Sequence, residues 1–242
     1  MLFNVAVRGI VRVSTNFVRF VRERGIGLAL VVLFMYLVSL MQEAVSYTLV
    51  LGRLNIRVWH DFGFFAEVGT SVRSALVLLL TVLWLLGRKR VLFRAIVIAN
   101  TLLTAALLVQ AGFLMGVLAG LSSHAVSELI TDVALMAAAN ILIFSIWYWI
   151  IDPPGVIADE PDPRPWAFLF PQRSDNLPGY ETWAPHYFDY LFVAFTTSFA
   201  FSPTDTAPLS RAAKALMLLQ SAISVVTLTG IASSAINILA GA

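Results

Sequence analysis

Thr196 and Thr197 close an apolar segment, a Ser-Pro-Thr turn follows, and Asp205 stands at its far end. Rings of neutral oxygens backed by a carboxylate replace the hydration shell of a small cation and concentrate it. This spacing therefore predicts a constriction built from Thr196, Thr197 and Asp205. Further along, Gln220, Ser224, Thr227 and Ser234 recur at helical spacing, with Gly230 and Asn237 on the adjoining side. Lipid cannot satisfy such groups, which leaves two readings open: they line a water-filled path between subunits, or they hydrogen-bond across neighbouring helices. On the first reading Gly230 is a bend point. Glu43 lies inside an apolar span, where a charge is costly and by default marks an ion or proton pathway, with Asn100, Gln110 and Asn140 as hydrogen-bonding neighbours.

Catalytic chemistry finds no comparable arrangement. The sequence has no cysteine, which removes thiolate metal sites, iron-sulfur clusters and cysteine nucleophiles. His60, His124 and His186 fall in loops or at span ends, without an H-E-x-x-H motif or a carboxylate cluster at ligand spacing. The glycines form no phosphate-binding loop. The expectation is no metal, no cofactor and no enzymatic activity.

The elements that position these residues follow from composition. Of 242 residues, 59% are hydrophobic and 12% charged, with a mean hydropathy of +0.85, which excludes a soluble domain and places the chain in a lipid bilayer. A helix needs about 20 mostly apolar residues to cross, and stretches of that kind lie near 26–51, 71–87, 94–120, 128–151 and 209–239. The fold class is all-α, a polytopic integral membrane protein of five or six transmembrane helices plus an N-terminal amphipathic helix. Segment 186–203 decides between the two counts: crossing gives six spans, dipping back gives five.

Four regions result: an amphipathic interfacial helix over 1–25, a four-helix transmembrane region over 26–151, a Pro-rich acidic loop over 152–185, exposed to solvent, and a helix-turn-helix module over 186–242. Within the loop, Pro153, Pro154, Pro161, Pro163, Pro165, Pro171 and Pro178 forbid a spanning helix. The N-terminal arginines (Arg8, Arg12, Arg19, Arg22 and Arg24) and the cluster Arg88, Lys89, Arg90 and Arg94 are topology signals beside apolar spans. The net charge of +2 therefore points to the membrane and not to nucleic acid. These signals place the N-terminus in the cytoplasm. Gly112, Gly116 and Gly120 make a bare face on the third span where a second helix packs closely, from the same chain by preference or else from another subunit. Trp147 and Trp149 read as interfacial anchors, and Asp205 with Thr206 before Pro208 as the cap of the last helix.

The run from Asp189 to Asp205, DYLFVAFTTSFAFSPTD, with Pro208-Leu-Ser, Lys214 and Leu216-Met-Leu-Leu-Gln-Ser221, resembles a family of uncharacterised bacterial inner-membrane proteins. More distantly it is similar to the pore module of potassium channels, in which a pore helix ending in Thr-Thr precedes a Val-Gly-Tyr-Gly-Asp filter and a Gly-hinged inner helix. Thr196 and Thr197 match the threonines, Asp205 the filter aspartate and Gly230 the hinge. The likeness covers the last quarter of the chain. Ser198-Phe-Ala-Phe-Ser-Pro203 stands where the filter glycines would be, and non-glycine residues resist the backbone angles that such a filter needs. The resemblance implies a pore-like module in the bacterial inner membrane, without potassium-type selectivity. Two functions are expected on this basis: an oligomeric pore for small cations, or a non-conducting accessory or scaffold subunit of a larger membrane complex. Its partners would be the lipid bilayer and further copies of itself or other subunits.

Overall fold

A computed structural model of the chain describes residues 27–46, 71, 74–76, 78–83, 86, 89–119, 126–152, 165–174, 178–180, 183–200 and 205–240. The helices are α1 (Gly27–Val45), α2 (Ser74–Leu83), α3 (Lys89–Ala119), α4 (Val126–Ile151), α5 (Pro171–Ser174), α6 (Tyr187–Ala200) and α7 (Arg211–Ala240). Two residue pairs form the antiparallel strands β1 (Phe168–Leu169) and β2 (Ala207–Pro208). The chain is all-helical in class and carries, among the described residues, four helices long and apolar enough to cross a membrane: α1, α3, α4 and α7. The expected interfacial helix over 1–25 lies outside the described residues.

Each long helix is apolar on both sides, so burial sorts residues by size and polarity more than by hydrophobicity. On α1 the inward positions are Leu28, Val31, Met35, Val38, Gln42 and Val45, at steps of three and four, while Leu33, Tyr36 and Leu40 face out. On α3 the inner face mixes Leu92, Ile96, Leu103 and Leu107 with Asn100 and Gln110. The outer surface shows Ile98, Leu102, Val109 and Phe113 to its surroundings. An apolar surface this extensive is incompatible with water and fits hydrocarbon. Outward threonines remain satisfied because their hydroxyls donate to a carbonyl one turn back, Thr101 to Val97 at 2.8 Å and Thr229 to Val225 at 2.8 Å.

Helices α4 and α7 are antiparallel: Tyr148 meets Gln220, Asn140 meets Ser224, and Val133 meets Gly230. The start of α1 lies at the same end as the close of α4, since a Cβ on Gly27 would stand 3.6 Å from Tyr187 Cβ and 4.0 Å from Trp149 Nε1. That end also receives both flanks of α6. Trp183, before α6, packs its ring 5.5 Å from Phe170. After α6, Leu209 N–H donates to the Ala167 carbonyl at 2.8 Å, and β2 pairs with β1, Phe168 opposite Pro208. The α6 helix therefore leaves one end of the bundle, and the chain is back at that end by residue 207. Its 14 residues cover about 21 Å at a rise of about 1.5 Å each, short of the roughly 30 Å hydrocarbon core.

Local chemistry sets where these pieces begin. Asp189 reaches back to the His186 amide at 2.6 Å, closing the first turn of α6. The Ala213 amide donates to the Ser210 hydroxyl at 3.0 Å, so the cap of α7 is Ser210. The expected cap at Asp205 and Thr206 is thus corrected: Ala207 and Pro208 are engaged in the strand pair, which delays the helix to Arg211. Gly179, with φ of 87°, takes the left-handed turn after Pro178 that a side chain would resist.

Two further expectations change. The segment after α4 is not exposed throughout: Ala167, Phe168 and Phe170 are buried, because Phe168 sits between Tyr148 and Tyr190 at centroid distances of 5.1 Å and 6.5 Å. Among the described residues nothing packs on the bare face of α3: a Cβ on Gly112 or Gly116 would meet nothing within 4 Å, and Gly120 lies outside the described residues. The glycine that another helix does approach is Gly230, where a Cβ would stand 3.1 Å from Val133 and 3.3 Å from Leu114. The α7 helix runs through it without interruption, so Gly230 admits neighbours and is not a hinge.

Candidate functional site

The largest meeting of polar side chains lies where α6 ends against α4 and α7. Gln220 is its centre and is wholly buried. Its side-chain amide donates to the Ala194 carbonyl at 2.7 Å and to the Ser198 hydroxyl at 2.7 Å, and its side-chain carbonyl accepts from the Tyr148 phenol. From α4, Asn140 donates to the Gln220 backbone carbonyl at 3.3 Å and to the Ser224 hydroxyl at 2.9 Å. Thr227 turns its hydroxyl onto the Ser224 carbonyl at 2.9 Å. Apolar helix faces surround these groups, and in that setting each satisfied bond both fixes a register and avoids a desolvation penalty.

The residues expected to line a path are therefore divided. Gln220, Ser224 and Thr227 face inward and are bonded inside one chain. The side chains of Ser234 and Asn237 lie outside the described set. The three constriction candidates do not converge. Thr196 is half-buried and gives its hydroxyl to its own helix, at the Phe192 carbonyl, 2.9 Å away. Thr197 is buried beside Tyr148 without a hydrogen bond of good geometry, and Asp205 is exposed. Consecutive helical residues point about 100° apart, so Thr196 and Thr197 cannot share a lining. Phe188, Phe192, Phe195 and Phe199 form the outward stripe of α6, about half exposed.

A second polar centre sits at the end of the bundle where α6 begins, and the sequence reading missed it. Asp152, immediately after α4, is fully buried. One carboxylate oxygen accepts from the Ala167 and Phe168 amides at 2.7 Å and 3.2 Å. The other accepts from Arg173 at 2.9 Å and from the Tyr190 phenol at 2.7 Å. A carboxylate at a helix C-terminus is opposed by the helix dipole, so it depends on these donors. Arg173 also bonds the Phe168 carbonyl at 3.2 Å and lies 4.6 Å from the Trp166 ring centroid. Burial first, and then the Asp152 charge, push the Tyr190 phenol up from its ordinary value, so it remains a donor. The available signal was an acid directly after an apolar span followed by an arginine among aromatics, which proline content obscured.

Glu43 is half-buried on α1, and the amides expected around it are spent elsewhere. Gln110 donates to the Gln42 carbonyl at 2.9 Å and to Ser46 at 3.0 Å, Gln42 to the Leu103 carbonyl at 2.7 Å, and Asn100 to the Ile143 carbonyl at 3.2 Å. Trp149 is buried in the bundle, and Trp147 donates to Thr104 at 2.9 Å, a packing role in place of the expected anchoring one. Among the described residues no three metal-ligating side chains come together. No family model, no curated protein and no solved structure matches the chain.

Proposed function

We propose that this chain is a membrane-embedded accessory or scaffold subunit that conducts nothing itself. It would have five spans and one re-entrant half-helix, α6, in a bacterial inner membrane. The observation that carries this reading is the use of Gln220, Ser224 and Thr227 as bonding groups between α4, α6 and α7 of a single chain. Groups already paired within a chain have little left to offer a passing ion. On this reading the basic cluster before α3, the N-terminal arginines and the Asp152 end of the bundle face the cytoplasm, in keeping with the excess of basic residues there.

A second reading, an oligomeric pore for small cations, is favoured by one specific observation. Both flanks of α6 are tied to the same end of the bundle, the arrangement of a pore helix and its return segment. The likeness to the potassium-channel module at Thr196, Thr197 and Asp205 belongs to this reading. Reconstitution of the full chain into liposomes separates the two. The scaffold reading expects no sodium, potassium or proton flux under imposed gradients or voltage. A flux that Gln220→Leu abolishes would replace it with the pore.

A further inference from the structure

Among the described residues five carboxamides are buried in the bundle, and beside Gln220, whose side-chain oxygen accepts from Tyr148, these are Gln42, Asn100, Gln110 and Asn140. The latter four bond in the same sense. Each gives its NH2 to a backbone carbonyl of a neighbouring helix: Leu103, Ile143, Gln42 and Gln220 respectively. Because those partners are carbonyls, the orientation is dictated by chemistry; a flipped amide would set oxygen against oxygen. The consequence is that all four side-chain oxygens are buried with no donor. An acceptor sealed from water without a partner is costly, and four together carry a penalty comparable with the net stability of a domain.

The four residues that carry these oxygens are linked through one connected route in the bundle. Gln110 meets Gln42, which meets Leu103 on α3, one turn from Asn100. Asn100 meets Ile143 on α4, one turn from Asn140, which meets Gln220 and Ser224 on α7. We infer that this acceptor-lined seam binds small guests that supply hydrogen-bond donors or positive charge, either water or a small cation held by the same oxygens. Internal water takes about three bonds to otherwise unsatisfied polar groups. The inference holds whether or not ions cross the membrane through this protein.

The test uses the full chain in lipid nanodiscs. Hydroxyl-radical footprinting by X-ray radiolysis modifies buried side chains that touch bound water. Met136, one turn from Asn140, and Tyr148 are the reporters; Phe168, equally buried in the aromatic cluster at the bundle end, is the control. In parallel, thermal midpoints are compared in sodium, potassium, ammonium and choline chlorides at equal ionic strength. Several-fold greater modification of Met136 and Tyr148 than of Phe168, corrected for intrinsic reactivity, with equal midpoints in all salts, assigns water. A midpoint raised by one small cation over choline, and lost in Asn140→Leu or Asn100→Leu, assigns the cation. Reporters as inert as Phe168 together with salt-independent midpoints overturn the seam, and this arm needs only the wild-type chain.

Discussion

At the scale of single residues, Asp152 has the most to lose. Its carboxylate is buried and takes four donors, of which Arg173 is the only charged one. Asp152→Asn breaks the buried 2.9 Å pair with Arg173 and should destabilise the chain by about 3 to 5 kcal/mol. Tyr190→Phe removes one bond to that carboxylate and should cost roughly 1.5 to 3 kcal/mol. Thermal unfolding in detergent measures both, and equal costs would mean that the ion pair is not the dominant contact. The Tyr190 phenol adds a pH signature. Its folded value is raised above 10.0 while the unfolded phenol keeps the ordinary one, so its contribution is intact below pH 10 and lost as pH rises beyond it. Wild type should lose stability above pH 10 more steeply than Tyr190→Phe does.

At the scale of helices, the glycines divide by what approaches them. Gly230 is pressed by Val133 and Leu114, so Gly230→Leu should cost about 1 to 3 kcal/mol through overpacking of the α3, α4 and α7 contact. Gly112→Leu and Gly116→Leu meet open space and should leave the unfolding midpoint of the single chain unchanged. A lower midpoint for either, or a changed mass in native electrophoresis, would locate a second helix on that face. The path of α6 is tested by introduced cysteines, which the absence of native thiols makes clean. His186→Cys and Asp205→Cys flank α6, and both should react with an impermeant maleimide from one side of the membrane, Thr131→Cys from the other. Labelling of the two flanks from opposite sides would mean that 187–204 crosses. The sequence left this choice open because a segment of that length suits either path; the α6 helix alone is short, and its flanks are held together by contacts with residues 167–170.

At the scale of the whole molecule, the same polar groups answer two demands. Interior carboxamides and hydroxyls set the register of α1, α3, α4, α6 and α7, where apolar packing alone would allow sliding. Purified protein carrying Gln220→Leu should keep its helix content by circular dichroism, yet lose the protection of 187–200 in hydrogen exchange. Unchanged exchange there would show that Gln220 does not hold α6 against α7. The outer surface of the described long helices, by contrast, is mostly apolar, and α6 adds four phenylalanines about half exposed.

The residue string by itself determined the solvent, the helical class, the absence of thiol chemistry and the helix stretches, because hydrophobicity over about 20 residues is a local property. It also marked Gln220, Ser224 and Thr227 as one face of a helix, since 3.6-residue periodicity needs no partner. Which way that face looks was decided only by tertiary structure. A polar stripe inside an apolar helix is compatible with water or with another helix, and only the arrival of Asn140, Tyr148 and Ser198 from distant positions chose the second. The Asp152 centre was decided the same way: an acid after an apolar span and an arginine among aromatics hint at a pair, but its donors come from residues 167, 168, 173 and 190, and only the fold brings them together.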